Sequence, residues 1–407
     1  SSAASDVYKR QVLRLRNDFA NAAAAYNNAL KSKDIKTQRR IDATLRWSEC
    51  AMRANDSAST IEAVDRFLQV APDHTFAPTT IAWRAEAKRK INQIAAAEKD
   101  YKLLIDKYPK AEERPAAITQ LALIRGDQKD NASLISLLEK LLKEYPSYPN
   151  RSETHHWIGW AAFESRDYKK ALIHLPESRK LDPDKYFESD SLRLIYCAYN
   201  LNDPDAAWNF TTDYLTKGKS RVPTDLLRWI GQHFREAQAH KKAEAALTLL
   251  VSAEDAQTAD WYALAQTHLA LNQFNEAATA SKSCIKLASI PADLAKGWIV
   301  LGQSELGLGN VAPAQKAIDE ALKLQPEGEL NAEARISAGD ILAAKNEWEQ
   351  AAKTYASVAI LDHEKLTPLA LEKAHRAYKQ AGKTKEAATT LNQLRSRYPE
   401  YPKDRLQ

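Results

Sequence analysis

The stretch Ala295–Pro326, AKGWIVLGQSELGLGNVAPAQKAIDEALKLQP, decides the fold. Trp298, Leu301, Gly302 and Glu305 lie three, one and three residues apart, a spacing that puts them on one face of a helix. Gly307 and Gly309 interrupt that pattern and Asn310 follows them, which is turn chemistry. A second run sets Ala314, Ile318 and Ala321 on one face, and Pro326 stops it. The small side chains at Gly302, Ala314 and Ala321 let two helix backbones approach closely, so the spacing predicts a helical hairpin. One hairpin cannot bury its own apolar face, and it therefore requires neighbours of its own kind.

The neighbours are present. With Ala314 as the marker of the second helix, equivalents fall at Ala277, Ala243, Ala207 and Ala171 before it and at Ala351 and Ala387 after it. The intervals are 37, 34, 36 and 36 residues backwards, then 37 and 36 forwards. The glycine slot recurs as Gly159, Gly231, Gly302 and Gly339, and is relaxed to Ile195, Ala265 and His375 elsewhere. Prolines close units at Pro183, Pro326 and Pro399. In these features the chain resembles the tetratricopeptide-repeat proteins, stacked helix-turn-helix units with a period of about 34 residues. The resemblance spans nearly the whole chain. It implies an all-α, right-handed superhelical solenoid of about ten antiparallel hairpins, with the first helix of each unit lining the inner wall.

Residues 1–31 read as a tail and an incomplete first hairpin, helical from about Val7 to Lys31. Residues 41–149 read as degenerate units. In the first, Trp47, Ser48 and Ala51 face Val64, Phe67 and Leu68 across a turn at Asn55-Asp56-Ser57. Leu134 takes the alanine slot of a later unit, which predicts a wider hairpin, and Gly126 to Asn131 reads as a long charged turn. Residues 152–399 read as seven regular units, at about 152–183, 188–219, 224–254, 258–290, 295–326, 332–363 and 368–399. Asp182-Pro183-Asp184, Gly218 to Pro223, Ile290-Pro291 and Pro326-Glu327-Gly328 read as the loops between them. Residues 400–407 read as a truncated tail. The opening SSAASDVYKRQ resembles a read-through artefact of translated sequence reads, and both termini are expected not to be the natural ones.

Composition agrees with one elongated array rather than two or three globular domains. Eleven glycines and sixteen prolines in 407 residues are few, as an all-helical chain requires. No apolar run is long enough to span a membrane. A net charge of +5 over 111 charged residues (58 basic, 53 acidic) lacks the concentrated basic face that nucleic acid needs. Cys50, Cys197 and Cys284 are far apart, without a CxxC pair, and read as small buried apolar residues.

Catalytic and metal signatures are nearly absent, so no enzyme activity, cofactor or metal is expected. Gly218-Lys219-Ser220 imitates the end of a phosphate loop, but Asp213 stands where the first glycine belongs and no strand precedes it. Gly307-Leu308-Gly309 reads as turn glycine. His155-His156 has no acidic partner at ligand spacing, and His363-Glu364 has no second histidine after it. The glycosylation-type triplets at Asn55, Asn131, Asn150 and Asn209 say nothing without a secretory route.

The informative positions are those of the first helices that avoid the packing stripe. They are Glu153, His156, Trp160 and Phe163; Ser189, Leu192, Tyr196 and Tyr199; Asp225, Arg228, Gln232 and Arg235; and Ala259, Tyr262, Gln266 and Leu269, with Arg193 beside them. Aromatic and arginine side chains give large contact area and strong hydrogen bonds, which suits a protein or peptide partner laid in a groove. The competing reading is that Trp160, Phe163 and Tyr196 seal adjacent units together. Some tetratricopeptide modules hold chaperone tails with paired lysine and asparagine residues. Here Leu192, Arg228, Tyr262 and Ile299 occupy the lysine slots, and Tyr196, Gln232, Gln266 and Gln303 the asparagine slots, so a co-chaperone role is not expected.

The unit endings Asp106-Lys107-Tyr108-Pro109, Lys143-Glu144-Tyr145-Pro146 and Ser396-Arg397-Tyr398-Pro399 resemble those of bacterial envelope tetratricopeptide proteins, such as Tol-Pal accessory coordinators and outer-membrane assembly lipoproteins. That resemblance implies a periplasmic or outer-membrane-associated protein, with the cytoplasm as the alternative. The expected function is a non-catalytic scaffold that binds a protein or peptide in an envelope assembly. The alternative is the repeat arm of a larger envelope enzyme whose catalytic part lies outside this chain.

Overall fold

A computed structural model of the chain describes residues 13–14, 17–32, 35–217 and 221–402. The readings that fall on Val7 to Val12, on Gly218-Lys219-Ser220 and on the end of the C-terminal tail lie outside the described residues. Among the described residues all regular structure is helical. The chain divides into two compact units, residues 1–201 and 202–407.

The first unit opens with α1 (Phe19–Ala29), which packs on α2 (Thr37–Arg53). The hairpins that follow pair α2 with α3 (Ser57–Val70), α4 (Ala77–Lys90) with α5 (Ile94–Lys107), α6 (Arg114–Asp127) with α7 (Asn131–Glu144), and α8 (Arg151–Glu164) with α9 (Tyr168–Leu181). The unit ends on α10 (Pro183–Asn200). The second unit begins with α11 (Pro204–Thr216). It then pairs α12 (Thr224–Glu236) with α13 (His240–Val251), α14 (Thr258–Ala270) with α15 (Phe274–Leu287), and α16 (Pro291–Gly307) with α17 (Val311–Lys323). The last pairs are α18 (Gly328–Ala344) with α19 (Trp348–Ala356), which runs into a 3₁₀ turn at Ser357–Leu361, and α20 (Leu366–Gln380) with α21 (Thr384–Arg397).

Each hairpin turns through three residues, and the middle one adopts a positive φ. These are Asn55, Asn92, Lys129, Arg166, Gln238, Asn272, Gly309, Asn346 and Gly382. The amide after it reaches back to close the helix, as in Asp56 N–H to the Ala51 carbonyl at 3.0 Å and Asp130 N–H to the Arg125 carbonyl at 2.9 Å. The amide of the positive-φ residue itself bonds one turn back, so the last carbonyls of the helix are satisfied by a Schellman closure. Where aspartate follows, as at Asp56, Asp130 and Asp167, its carboxylate caps the next helix by accepting a backbone N–H three residues on.

Two sequence expectations are corrected here. The segment Gly126 to Asn131 is not a long turn: α6 continues to Asp127 and the turn is the same three-residue one, with Lys129 at φ 62°. The prolines at 183 and 291 and the glycine at 328 are not loop residues but the first residues of α10, α16 and α18, which start a turn earlier than 188, 295 and 332. Proline is tolerated there because its missing N–H would have had no helical partner.

The core sits between the paired helices. The marker alanines 171, 207, 243, 277, 314 and 351 are fully buried, and Ala387 nearly so. Where Leu134 replaces alanine it is also buried, and its Cδ1 lies 2.7 Å from where a Cβ would stand on Gly126, so the absent side chain accommodates the added bulk. First helices of successive hairpins also touch: α8 meets α10 in the first unit, and α14 meets α16 and α16 meets α18 in the second. Their remaining faces form a wall in each unit. All three cysteines are buried thiols, raised by burial to about 11, 12 and 11 for Cys50, Cys197 and Cys284.

Candidate functional site

The wall of the first unit is built around a fully buried carboxylate. Asp190, on α10, accepts hydrogen bonds from the Ser178 hydroxyl and from Ser189 Oγ at 3.2 Å. His156 Nδ1, on α8, is 2.8 Å from Asp190 Oδ1, and the imidazole stacks on Tyr186 at 4.3 Å between centroids. Arg193 Nη1 lies 3.8 Å from the same oxygen and donates to the Ser189 carbonyl at 3.1 Å. His156 therefore ties α8 to a buried carboxylate of α10, which Arg193 approaches from its own helix. Trp160 is half-buried and meets Trp157 edge-on at 5.7 Å, with both rings packed on the core of the unit. Phe163 meets Tyr168 edge-on at 5.9 Å. Tyr196 is half-buried on the same helix as Tyr199, which is 40% exposed.

In the second unit, Arg228 on α12 makes a two-pronged pair with Asp260 on α14, at 2.8 and 2.9 Å. Asp260 is 2% exposed and also accepts the Gln257 N–H at 2.9 Å, so it caps its own helix while binding its neighbour. The hydrogen bonds that Arg228 donates to Asp260 hold its guanidinium charged and push its pKa up. Gln232 is exposed and donates to Glu236 at 2.9 Å. Arg235 Nη2 donates to Gln266 Oε1 at 2.5 Å, and Gln266 Nε2 donates to the Tyr262 hydroxyl at 2.5 Å. Burial pulls the Arg235 pKa down, and the neighbouring Tyr262 and Glu236 oppose that shift only in part. Tyr262 is half-buried, and burial followed by the charge of Glu333 pushes its phenol pKa up.

Sequence reasoning placed these side chains on first helices but named neither the carboxylates that organise them nor two further wall residues. Lys296, on α16, has its ammonium 5.8 Å from the centre of the Tyr262 ring and 2.9 Å from Asp293. Glu333, on α18, is half-buried, and burial followed by the neighbouring charge of Glu329 raises its pKa. A signal for both was available. They stand six residues before the glycine slots at 302 and 339, the register already used for Glu153 and Asp225.

The histidines also find partners that sequence spacing does not reveal. His155 Nδ1 is 3.1 Å from His174 Nδ1 across the α8–α9 hairpin, and His363 Nε2 is 4.0 Å from Glu329. Among the described residues no group of three histidine, cysteine, aspartate or glutamate side chains is set to hold a metal ion. No helix there is long and apolar enough to cross a membrane. The second unit also has a cleft of about 430 Å³ between Leu215, Val222, Leu227 and Leu249, with Thr224 donating to Asp255 at 2.7 Å on its rim.

Models of the tetratricopeptide repeat match residues 261–290, 299–364 and 374–401. No curated protein matches the chain. Among solved structures, the chain is similar to one described as Naa15/Naa10 bound to HypK-THB, at 13% identity, 96% coverage of this chain, 68% of that chain and a TM-score of 0.43. It is also similar to one described as the APC/C hetero-tetramer Cut9-Hcn1, at 13% identity, 98% and 88% coverage and 0.38. A third is a tetratricopeptide repeat protein from Parabacteroides merdae, at 10% identity, 73% and 98% coverage and 0.37. Likeness at this level bears on neither partner nor substrate. The family models, the all-helical hairpins and the chain-long period agree: between residues 261 and 401 this chain carries tetratricopeptide repeats.

Proposed function

We propose that the chain is a non-catalytic scaffold that holds an extended protein or peptide segment against the walls formed by its first helices. The observation that carries this reading is Arg235. Its guanidinium is half-buried on the wall of the second unit and donates to a neutral amide, Gln266. A partly desolvated cation on which Glu236 acts only through space, without an ion pair, is incompletely compensated in the free protein, and an acidic group on a partner would offset that cost. Gln232, Gln266 and the Tyr262 hydroxyl supply polar neighbours, and Tyr199 and Trp160 offer aromatic surface on the wall of the first unit.

Selection of peptides from a random display library against the whole chain tests this. Aspartate or glutamate is expected to be enriched in the binders, and Arg235→Gln is expected to weaken them about tenfold or more, the scale of an interface arginine. Binders that show no acidic enrichment and are indifferent to Arg235 sink the reading.

We infer further that the setting is a bacterial cell-envelope assembly. The unit endings Tyr108-Pro109, Tyr145-Pro146 and Tyr398-Pro399 support it. Each tyrosine closes its helix, and Tyr108 and Tyr398 reach the preceding loop through Pro72 at 3.3 Å and Asp362 at 2.8 Å. Fractionation of the protein in its native host is expected to recover it with the envelope, and a wholly cytoplasmic pool overturns that assignment.

A further inference from the structure

The cleft of the second unit lies where three helices end or begin. Leu215 is near the end of α11, Val222 leads into α12, Leu227 stands one turn inside α12, and Leu249 belongs to the last turn of α13. Val222 and Leu227 are buried and Leu215 and Leu249 half-buried, so the interior of the cleft is aliphatic. At about 430 Å³ the space falls inside the roughly 300–1,000 Å³ of sites that enclose a ligand. Two carboxylates, Asp225 and Asp255, stand among the lining residues.

Both carboxylates are exposed, and neither forms an ion pair with a described residue. Asp255 accepts from the Thr224 hydroxyl at 2.7 Å, which leaves most of its acceptor capacity open. Arg228, one turn along α12 from Asp225, gives its fork to Asp260, and the two rim carboxylates act on it only through space. Among the described lining residues the cation is Arg221, which lies 3.9 Å from Glu254 in a pair whose side chains are both largely exposed. The start of α12 adds roughly half a positive charge, less than either carboxylate offsets. The cleft therefore joins an aliphatic interior to a net negative rim, and its complement is an apolar side chain next to a cation.

The cleft also continues the wall, because Asp225, Arg228, Gln232 and Arg235 follow one another along α12. Asp225 and Arg235 are ten residues apart, about 15 Å along a helix axis, and an extended chain covers that distance in about four or five residues. We propose that the cleft seats an apolar side chain, and Asp225 with Asp255 an adjacent lysine or arginine, of the same extended segment whose acidic residue lies on Arg235. This rests on the peptide-scaffold reading above and adds the partner's residue pattern: an acidic residue and an apolar–basic pair, about four or five residues apart.

The test measures fluorescence anisotropy of labelled, end-capped peptides against the full chain. Each carries one glutamate and one Phe-Lys pair, joined by glycine and serine so that glutamate and phenylalanine stand about two, four or five residues apart, in both chain directions. In one direction the separations of four and five are expected to bind about tenfold more tightly than two, which is too short to reach. Asp225→Asn with Asp255→Asn is expected to weaken that matched peptide about tenfold, and to leave unchanged a peptide with norleucine in place of lysine. Asp225→Asn alone breaks no hydrogen bond of the described residues, so its smaller effect reads charge rather than folding. Equal affinity for the parent and the doubly neutralised chain, or for separations of two and four, overturns the seat, while continued weakening by Arg235→Gln preserves the scaffold reading. Indifference to Arg235→Gln as well sinks both.

Discussion

Gly159→Val will destabilise the α8–α9 hairpin by about 3 kcal/mol, the upper part of the range for overpacking a tight core. A Cβ built on Gly159 stands 2.7 Å from Leu175 Cγ and 3.2 Å from the Leu175 backbone nitrogen. Leu175 is fully buried, so its side chain has nowhere to swing, and the backbone atom moves only if α9 moves. The gain from removing a helical glycine, about 0.5–1 kcal/mol, is too small to offset the clash. Hydrogen exchange of the α8 and α9 amides should rise sharply in the variant while amides of α2 and α3 change little, because each repeat depends mainly on its neighbours. Pairing Gly159→Ala with Leu175→Ala separates space from other causes. The double variant should recover part of the loss of Gly159→Ala, and strict additivity of the two would refute the close-approach argument.

Acidification will act on the same hairpin through a different pair of atoms. Burial, followed by the neighbouring His155, pushes His174 down to about 4, and burial, followed by Arg151, also lowers His155. A base whose folded pKa lies below its unfolded value of about 6.5 binds protons more readily when the chain is unfolded. Stability is therefore complete above about pH 6.5 and falls as pH drops through the window down to about 4, by about 3 kcal/mol for His174 alone. Urea unfolding of the parent and of His174→Leu at pH 7.5, 6 and 4.5 checks this. Carboxylates titrate in both proteins, so the difference between their pH slopes isolates the imidazole. Parallel slopes would mean that the His155–His174 contact is not held neutral in the folded state.

The fold was readable because its constraint is local and repeated. An alanine at a helix crossing leaves a mark every 34 to 37 residues, and the marker alanines are all buried as the crossing requires. The first half was harder to read, for a specific reason. Its turns place Lys129 and Arg166 in the left-handed region, where glycine or asparagine is the recognisable signal. The helix starts at Pro183 and Pro291 were misread because proline marks both the end of one helix and the first residue of the next. The wall is legible only as a register. Sequence identifies Arg228 and His156 as wall positions, but Asp260 and Asp190 lie 32 and 34 residues away, and the bonds depend on side-chain direction. Glu333 is legible in that same register, six residues before Gly339 as Glu153 is before Gly159.

The sealed cysteines carry a practical consequence. Cys50, Cys197 and Cys284 lie on α2, α10 and α15, each fully enclosed and each reluctant to ionise. A thiol reagent reaches such a sulfur only during a transient local excursion, so its consumption at each position times the breathing of one stretch of the molecule. The chain thus comes equipped with three native chronometers, two in the first unit and one in the second, that would register where a bound partner stills it.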